Sequence, residues 1–260
     1  MKIIFENDKN FTFNLQDLLD KRFSDISNNI DIGVRDIIDQ VKKNGDDALI
    51  KLSSKFDNSN LTKERLLVEG TILKKYYESV DKKILQNFEL AIKRIFNYHK
   101  KQYPSNYILE EKGIKLSSRW VPIESVGLYV PGGKAAYPSS LIMNVVPAQI
   151  AKVKRIVVVT PSKENKLNPY IMAILKLLNI EEVYQVGGAQ AIAALAYGTE
   201  TIKPVNKIFG PGNAYVSAAK KLVFGKVGID LIAGPSEVLI VADENNRPDW
   251  VASDLLAQAE

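Results

Sequence analysis

The chain has 260 residues, 46% of them apolar and 25% charged, with one histidine, no cysteine and a net charge of +5. That is a water-soluble composition with room for one large α/β domain or two smaller ones. It excludes disulfides, a cysteine nucleophile and a thiolate metal site, and one histidine without cysteine excludes an ordinary zinc centre.

In chain order, the opening MKIIFENDKNFTF carries acids and amides where a signal peptide needs a long apolar core. No later apolar run reaches the roughly 18 residues that a membrane span needs, so the expected compartment is the cytoplasm. The first 120 residues read as mostly helical. Val34, Ile37, Ile38 and Val41 recur at helical spacing, Gly45–Asp46 punctuates, and Ala48, Leu49, Leu52 and Phe56 resume the pattern. A longer helix begins near Asp81, with Ile84, Phe88, Ile92, Ile95 and Phe96 as its core stripe. His99 falls near its end beside two lysines, a place for a surface residue rather than a catalytic base. Paired lysines such as Lys42–Lys43, Lys82–Lys83 and Lys220–Lys221 are spread along helices and read as solvated faces, not as a nucleic-acid surface.

The character changes near Trp120. Short apolar runs (SVGLYV, RIVVVT, EEVYQV, KIF) now alternate with helical stretches. Buried strand followed by helix, repeated, predicts a parallel sheet with helices on both faces. Right-handed crossovers bring the strand C-terminal ends to one edge, and ligands of such sheets bind beyond that edge. The turns at those ends are PGGKAAYP, PS, GGAQ and GPGN, followed later by AGPSE. Glycines there permit tight turns and close backbone approach by a ligand. Tyr129, Gln190 and Asn213 stand at or just after three of these ends, as neutral hydrogen-bonding groups suited to amides and hydroxyls rather than to proton abstraction. Helices starting near Ala189 and Gly212 offer free N–H groups to an anion such as a pyrophosphate. No G-x-G-x-x-G is present, and no acid stands about twenty residues on to hold a ribose. The residues by themselves therefore define an α/β ligand-binding domain, with a nucleotide among its candidate ligands. The last segment, RPDWVASDLLAQAE, opens a helix with Pro248 and Asp249 in its first turn and has no Gly or Asn to close it.

Three long segments carry a resemblance. VGLYVPGG, the run QVGGAQAIAALAYGTETIKPVNKIFGPGNAYV, and AGPSEVLIVAD followed by ASDLLAQAE are similar to histidinol dehydrogenase, most densely from Glu124 to Glu260. The resemblance implies an α/β fold in which a parallel-sheet, nucleotide-fold-like domain follows a helical N-terminal region, with an incomplete second α/β domain. On that division, residues 1–123 are the mostly helical part of the first, incomplete domain. Residues 124–235 form the Rossmann-like NAD-binding domain, and 236–260 a return strand and the start of a zinc-site helix. It also implies a homodimeric oxidoreductase that takes L-histidinol to L-histidinal and then to L-histidine, the last steps of histidine biosynthesis, with two NAD and with Zn2+. The family's cofactor contacts match Tyr129, Gln190 and Asn213. Its substrate serine matches Ser236, and its first zinc ligand, which also touches substrate, matches Gln258. The next ligand, a histidine, would stand one position past Glu260, on the same helix face. The acid–base pair and the other ligands belong to later parts of the family's chains, so no catalytic residue is assigned here. The expectation is an N-terminal portion of the enzyme, inactive alone and without zinc. The alternatives are a truncated homologue serving as a non-catalytic nucleotide-binding module, or another NAD dehydrogenase on the same scaffold.

Overall fold

The computed structural model describes residues 7, 9–132, 137–232 and 238–258, with side chains other than those of residues 18, 20–29, 257 and 258. Its centre is a sheet of five parallel strands: β3 (Ser125–Tyr129), β4 (Arg155–Val159), β5 (Glu182–Tyr184), β6 (Lys207–Phe209) and β7 (Gly228–Ile229). Their order is β5-β4-β3-β6-β7. From β3 the chain builds outward through β4 and β5, then returns to the other side of β3 for β6 and β7. The C-terminal ends of β3 and β6 thus flank a topological switch point, where sheets of this kind open a crevice.

Strand alternation makes this a layered molecule. Val126 and Leu128 of β3 and Val158 of β4 face one core, with helices α5 (Pro138–Ile150) and α6 (Pro169–Leu177). Tyr129, Val157, Val159 and Ile208 face the other, with α7 (Gly188–Tyr197) and α8 (Ala214–Val223). All of β3 is buried, as a strand covered on both faces must be. Caps fix the helix starts. Asn168 precedes Pro169, and its carboxamide oxygen accepts from the N–H groups of Tyr170 and Ile171 at 3.0 and 3.2 Å.

The N-terminal helices are an outer layer on this sheet. Helix α1 (Phe11–Asp57) lays Val34, Ile38, Val41, Leu49 and Leu52 into the core formed by α7 and α8. Gly45, at φ +50°, breaks its helical geometry where the sequence is punctuated. The Glu200 carboxylate accepts the Asp46 N–H there at 2.7 Å, and the Asp46 carboxylate accepts the Thr201 hydroxyl. A short helix, α2 (Lys63–Leu66), leads into an extended segment whose Leu66 carbonyl and Val68 N–H bond to Gln185 and Val183 at 3.0 and 2.8 Å. That segment covers the outer edge of β5. Helix α3 (Gly70–Ser79) packs on α6, and α4 (Lys82–His99) on α5. Asp81 caps α4 through the Lys83 N–H at 2.8 Å, as the stripe from Ile84 onward predicts.

Two features depart from the sequence reading. The helical N-terminal region contains an antiparallel hairpin, β1 (Tyr107–Glu111) with β2 (Ile114–Ser118), whose turn holds Gly113 at φ +83°. The return strand expected after residue 236 does not form over Val238–Ala242. This stretch has no strand partner among the described residues, and Leu239 and Val241 are 87% and 88% exposed. A strand is stable only when its backbone groups find a ladder, however apolar its side chains. Beyond it, α9 (Pro248–Gln258) is helical as predicted, with Trp250, Leu255 and Leu256 exposed.

Candidate active site

Tyr129 is the last residue of β3 and only 4% exposed. Its hydroxyl accepts the N–H of Gly188, the first residue of α7, at 3.1 Å. Burial pushes the phenol up to about 12, against the lowering effect of that hydrogen bond; a nearby carboxylate, Asp57, adds a smaller push upward. Tyr129 is therefore neutral at physiological pH. Its backbone meets the second turn. Gly210, at φ +116°, lies so near the Tyr129 carbonyl oxygen that any Cβ would overlap it. Tyr129 thus touches both turns that flank it.

Gln190, two residues after Gly188, is 1% exposed. Asn213 caps α8: its carboxamide oxygen accepts the Val216 N–H at 3.1 Å, and the residue is exposed. The structure thus brings Tyr129, the start of α7 and the Gly210–Asn213 turn to one sheet edge. Ser236 lies outside the described residues, as do residues 133–136 of the PGGKAAYP turn. Gln258 is placed only by backbone, as the last residue of α9.

Beyond the ends of β3 and β4 the edge opens into a cavity of about 650 Å³, on the side where the sequence places a ligand; its wall from the end of α1 was not foreseen. Pro131 and Gly132 after β3, Thr160 and Pro161 after β4, and Asn168 before α6 line it. Phe56 and Asp57 at the end of α1 close it. Pro161 is the hub of this edge. A Cβ on Gly132 or Gly187 would come within 2.6 Å of its ring, so those glycines are dictated by close packing of three strand-end turns. Asp57 is half-buried here, and desolvation raises its carboxyl from 3.8 to about 6. The only signal for it was a lone acid at the end of an amphipathic helix, about seventy residues before the first sheet strand.

At the opposite edge of the sheet, Arg155 holds Glu182 through two bonds of 2.7 and 2.8 Å and donates to the carbonyls of Lys203 and Pro204. That end is tied shut. A second cavity, about 580 Å³ and mostly apolar, lies between α5, the end of α4 and residues 120–123, away from Asp57. His99 is on its rim, hydrogen-bonded to Gln102 at 2.7 Å. Among the described residues no three or more His, Cys, Asp or Glu cluster closely enough to hold a metal ion, and no helix is long and apolar enough to cross a membrane.

A doubly wound parallel sheet, with polar groups at its switch point and a cavity beyond the neighbouring ends of β3 and β4, defines the class: a nucleotide-fold-like α/β protein. The family model of histidinol dehydrogenase matches residues 20–260. The chain belongs to the histidinol dehydrogenase family. Over 237 residues, 91% of its length, it is 53% identical to the histidinol dehydrogenase of Agrobacterium fabrum and 52% identical to that of Brucella abortus. It spans 55% of each of those relatives, about half their length. The crystal structure of histidinol dehydrogenase from Elizabethkingia anophelis is similar to it with a TM-score of 0.81 at 39% identity, over 87% of this chain and 52% of that one.

Proposed function

We propose that this chain supplies the cofactor-binding part of a histidinol dehydrogenase, which oxidises L-histidinol to L-histidinal and then to L-histidine with two NAD in turn. The observation that carries the reading is the junction at Tyr129, whose hydroxyl and carbonyl meet the two turns bearing Gln190 and Asn213. The local chemistry fits a dinucleotide. The N-termini of α7 and α8 lie at the strand ends, and apart from the Gly188 and Val216 N–H groups, already held by Tyr129 and Asn213, their first-turn N–H groups suit a pyrophosphate. Gly210 leaves no side chain between a ligand and the backbone. Gln190 is a buried amide, a group that carries both the donor and the acceptor that a carboxamide pairs with. Tyr129 accepts from Gly188 and retains its own proton to donate. Asp57 can accept from ribose hydroxyls in the adjoining cavity, the task that an acid at a strand end performs in dinucleotide folds.

When bound, NAD supplies the hydride acceptor. The residues of this chain bind and orient it, and the buried Tyr129 and Gln190 keep water from that face of the crevice. None of the three is a base: two are amides, and the phenol stays protonated far above neutral pH. The acid–base groups are proposed to lie in the part of the relatives that this chain does not span. Among the described residues no three or more His, Cys, Asp or Glu are placed to hold a metal ion, so no step is assigned to one. Gln258 as a ligand, Ser236 as a substrate contact, a homodimer and a cytoplasmic setting are carried over from the family as proposals.

Calorimetric titration of the 260-residue chain with NAD tests the reading. Saturable binding that Gln190→Ala weakens at least tenfold is expected; no binding at millimolar NAD would sink it. Histidinol-dependent NADH formation by a polypeptide of the relatives' full length tests the activity. Binding without turnover in that longer polypeptide would favour the non-catalytic module.

A further inference from the structure

Lys220 is a lysine buried to 3% exposure in the middle of α8. Its ammonium pairs with Asp230, the residue just after β7, and donates to the Gly210 carbonyl at 3.0 Å. The other oxygen of Asp230 accepts the Gly210 N–H at 2.9 Å. Asp230 is itself fixed by its backbone N–H to Ile208 at 3.0 Å. One ion pair therefore grips a single residue by both its N–H and its carbonyl. That residue has φ +116° and its α-carbon pressed against the Tyr129 carbonyl.

Stability alone does not call for this arrangement. Two charges taken out of water lose solvation that their attraction only roughly offsets, and well-packed apolar residues often serve folding as well or better. What an apolar pair lacks is a donor and an acceptor for the Gly210 peptide groups. The direction of Pro211, Gly212 and Asn213 follows from that residue, and Lys220 lies two turns along the helix that Asn213 caps. Asp230 in turn stands six positions before Ser236 in the sequence.

We propose that Lys220 and Asp230 are positioning residues. Their buried pair fixes the Gly210–Asn213 turn so that Asn213 and the first N–H groups of α8 face the cofactor at the switch point. The inference rests on the cofactor reading above. Its test is NAD titration of the 260-residue chain alongside thermal melts. The Lys220→Met/Asp230→Leu double variant is expected to melt no lower than the unsubstituted chain, yet to bind NAD at least tenfold more weakly, about 1.4 kcal/mol. Asp230→Asn, which keeps the shape but leaves the Lys220 charge buried without its counter-ion, is expected to melt lower than the unsubstituted chain and, while folded, to weaken binding at least threefold. An NAD Kd within twofold of the unsubstituted chain in either folded variant overturns the proposal. Loss of folding in both variants also overturns it, because the pair would then be a stability element. If NAD binds the unsubstituted chain and Gln190→Ala weakens it while these variants do not, the cofactor reading stands and this inference falls. If the unsubstituted chain binds no NAD, both fall.

Discussion

Asn213 has two tasks that one substitution can separate. Its oxygen caps α8, and its NH2 is left for a ligand. Removing a capping side chain costs about 1 kcal/mol. Asn213→Asp keeps the cap and removes the NH2, so it should melt like the unsubstituted chain while losing NAD affinity; Asn213→Ala should lose both. Equal NAD affinity in Asn213→Asp would end that assignment. Asp57 makes a pH prediction. Burial raises its pKa from 3.8 to about 6, so the fold favours the protonated form. That contribution is complete below about pH 4 and disappears as the pH rises through about 6. Asp57→Asn should therefore melt above the unsubstituted chain at pH 7.5 and level with it at pH 4, in parallel scans. The same variant should bind NAD more weakly at pH 7.5, where the carboxylate is ionised. Tyr129, Gln190 and Asn213 were legible in the sequence because strand-end turns declare themselves. Asp57 was not, because its neighbours at the cavity come from elements far along the chain.

Among the elements, α1 shows how a local signal becomes a tertiary joint. Gly45–Asp46 reads as punctuation, but the sequence does not say against what. In the fold the break docks on the loop after α7, with the Glu200 carboxylate where a Cβ on Gly45 would go. Gly45→Ala must adopt a positive φ and displace that carboxylate, at a cost of about 1–3 kcal/mol. A clear fall in melting temperature, with the helical circular dichroism retained below the transition, is the expected result. The hairpin β1–β2 escaped notice because its apolar residues face no core: Tyr107, Ile108, Leu109, Ile114 and Leu116 are all exposed. The stretch 238–242 erred in the opposite direction. Its composition is that of a buried strand, but no strand among the described residues pairs with it, so β-propensity had nothing to act on.

For the whole molecule, the sheet is well covered while other apolar surface is not. Trp120, Val121, Leu231, Ile232, Leu239, Val241, Trp250 and Leu256 are each more than half exposed, alongside the bare hairpin. Surface of this kind favours association. The 260-residue chain should bind an apolar fluorescent dye in its folded state and self-associate with rising concentration in sedimentation. A monodisperse monomer without dye binding would show that this surface is covered. The sequence alone determined the strand–helix alternation, the C-terminal-edge turns and the three neutral polar groups on them. These are local matters, written in periodicity, glycine and caps. Only the tertiary structure decided that α1 shares a core with α7 and α8, that Asp57 closes the cavity, and that Lys220 and Asp230 grip Gly210. Those contacts join residues far apart in the chain, and which of them form depends on the order of strands in the sheet, a property that no single segment carries.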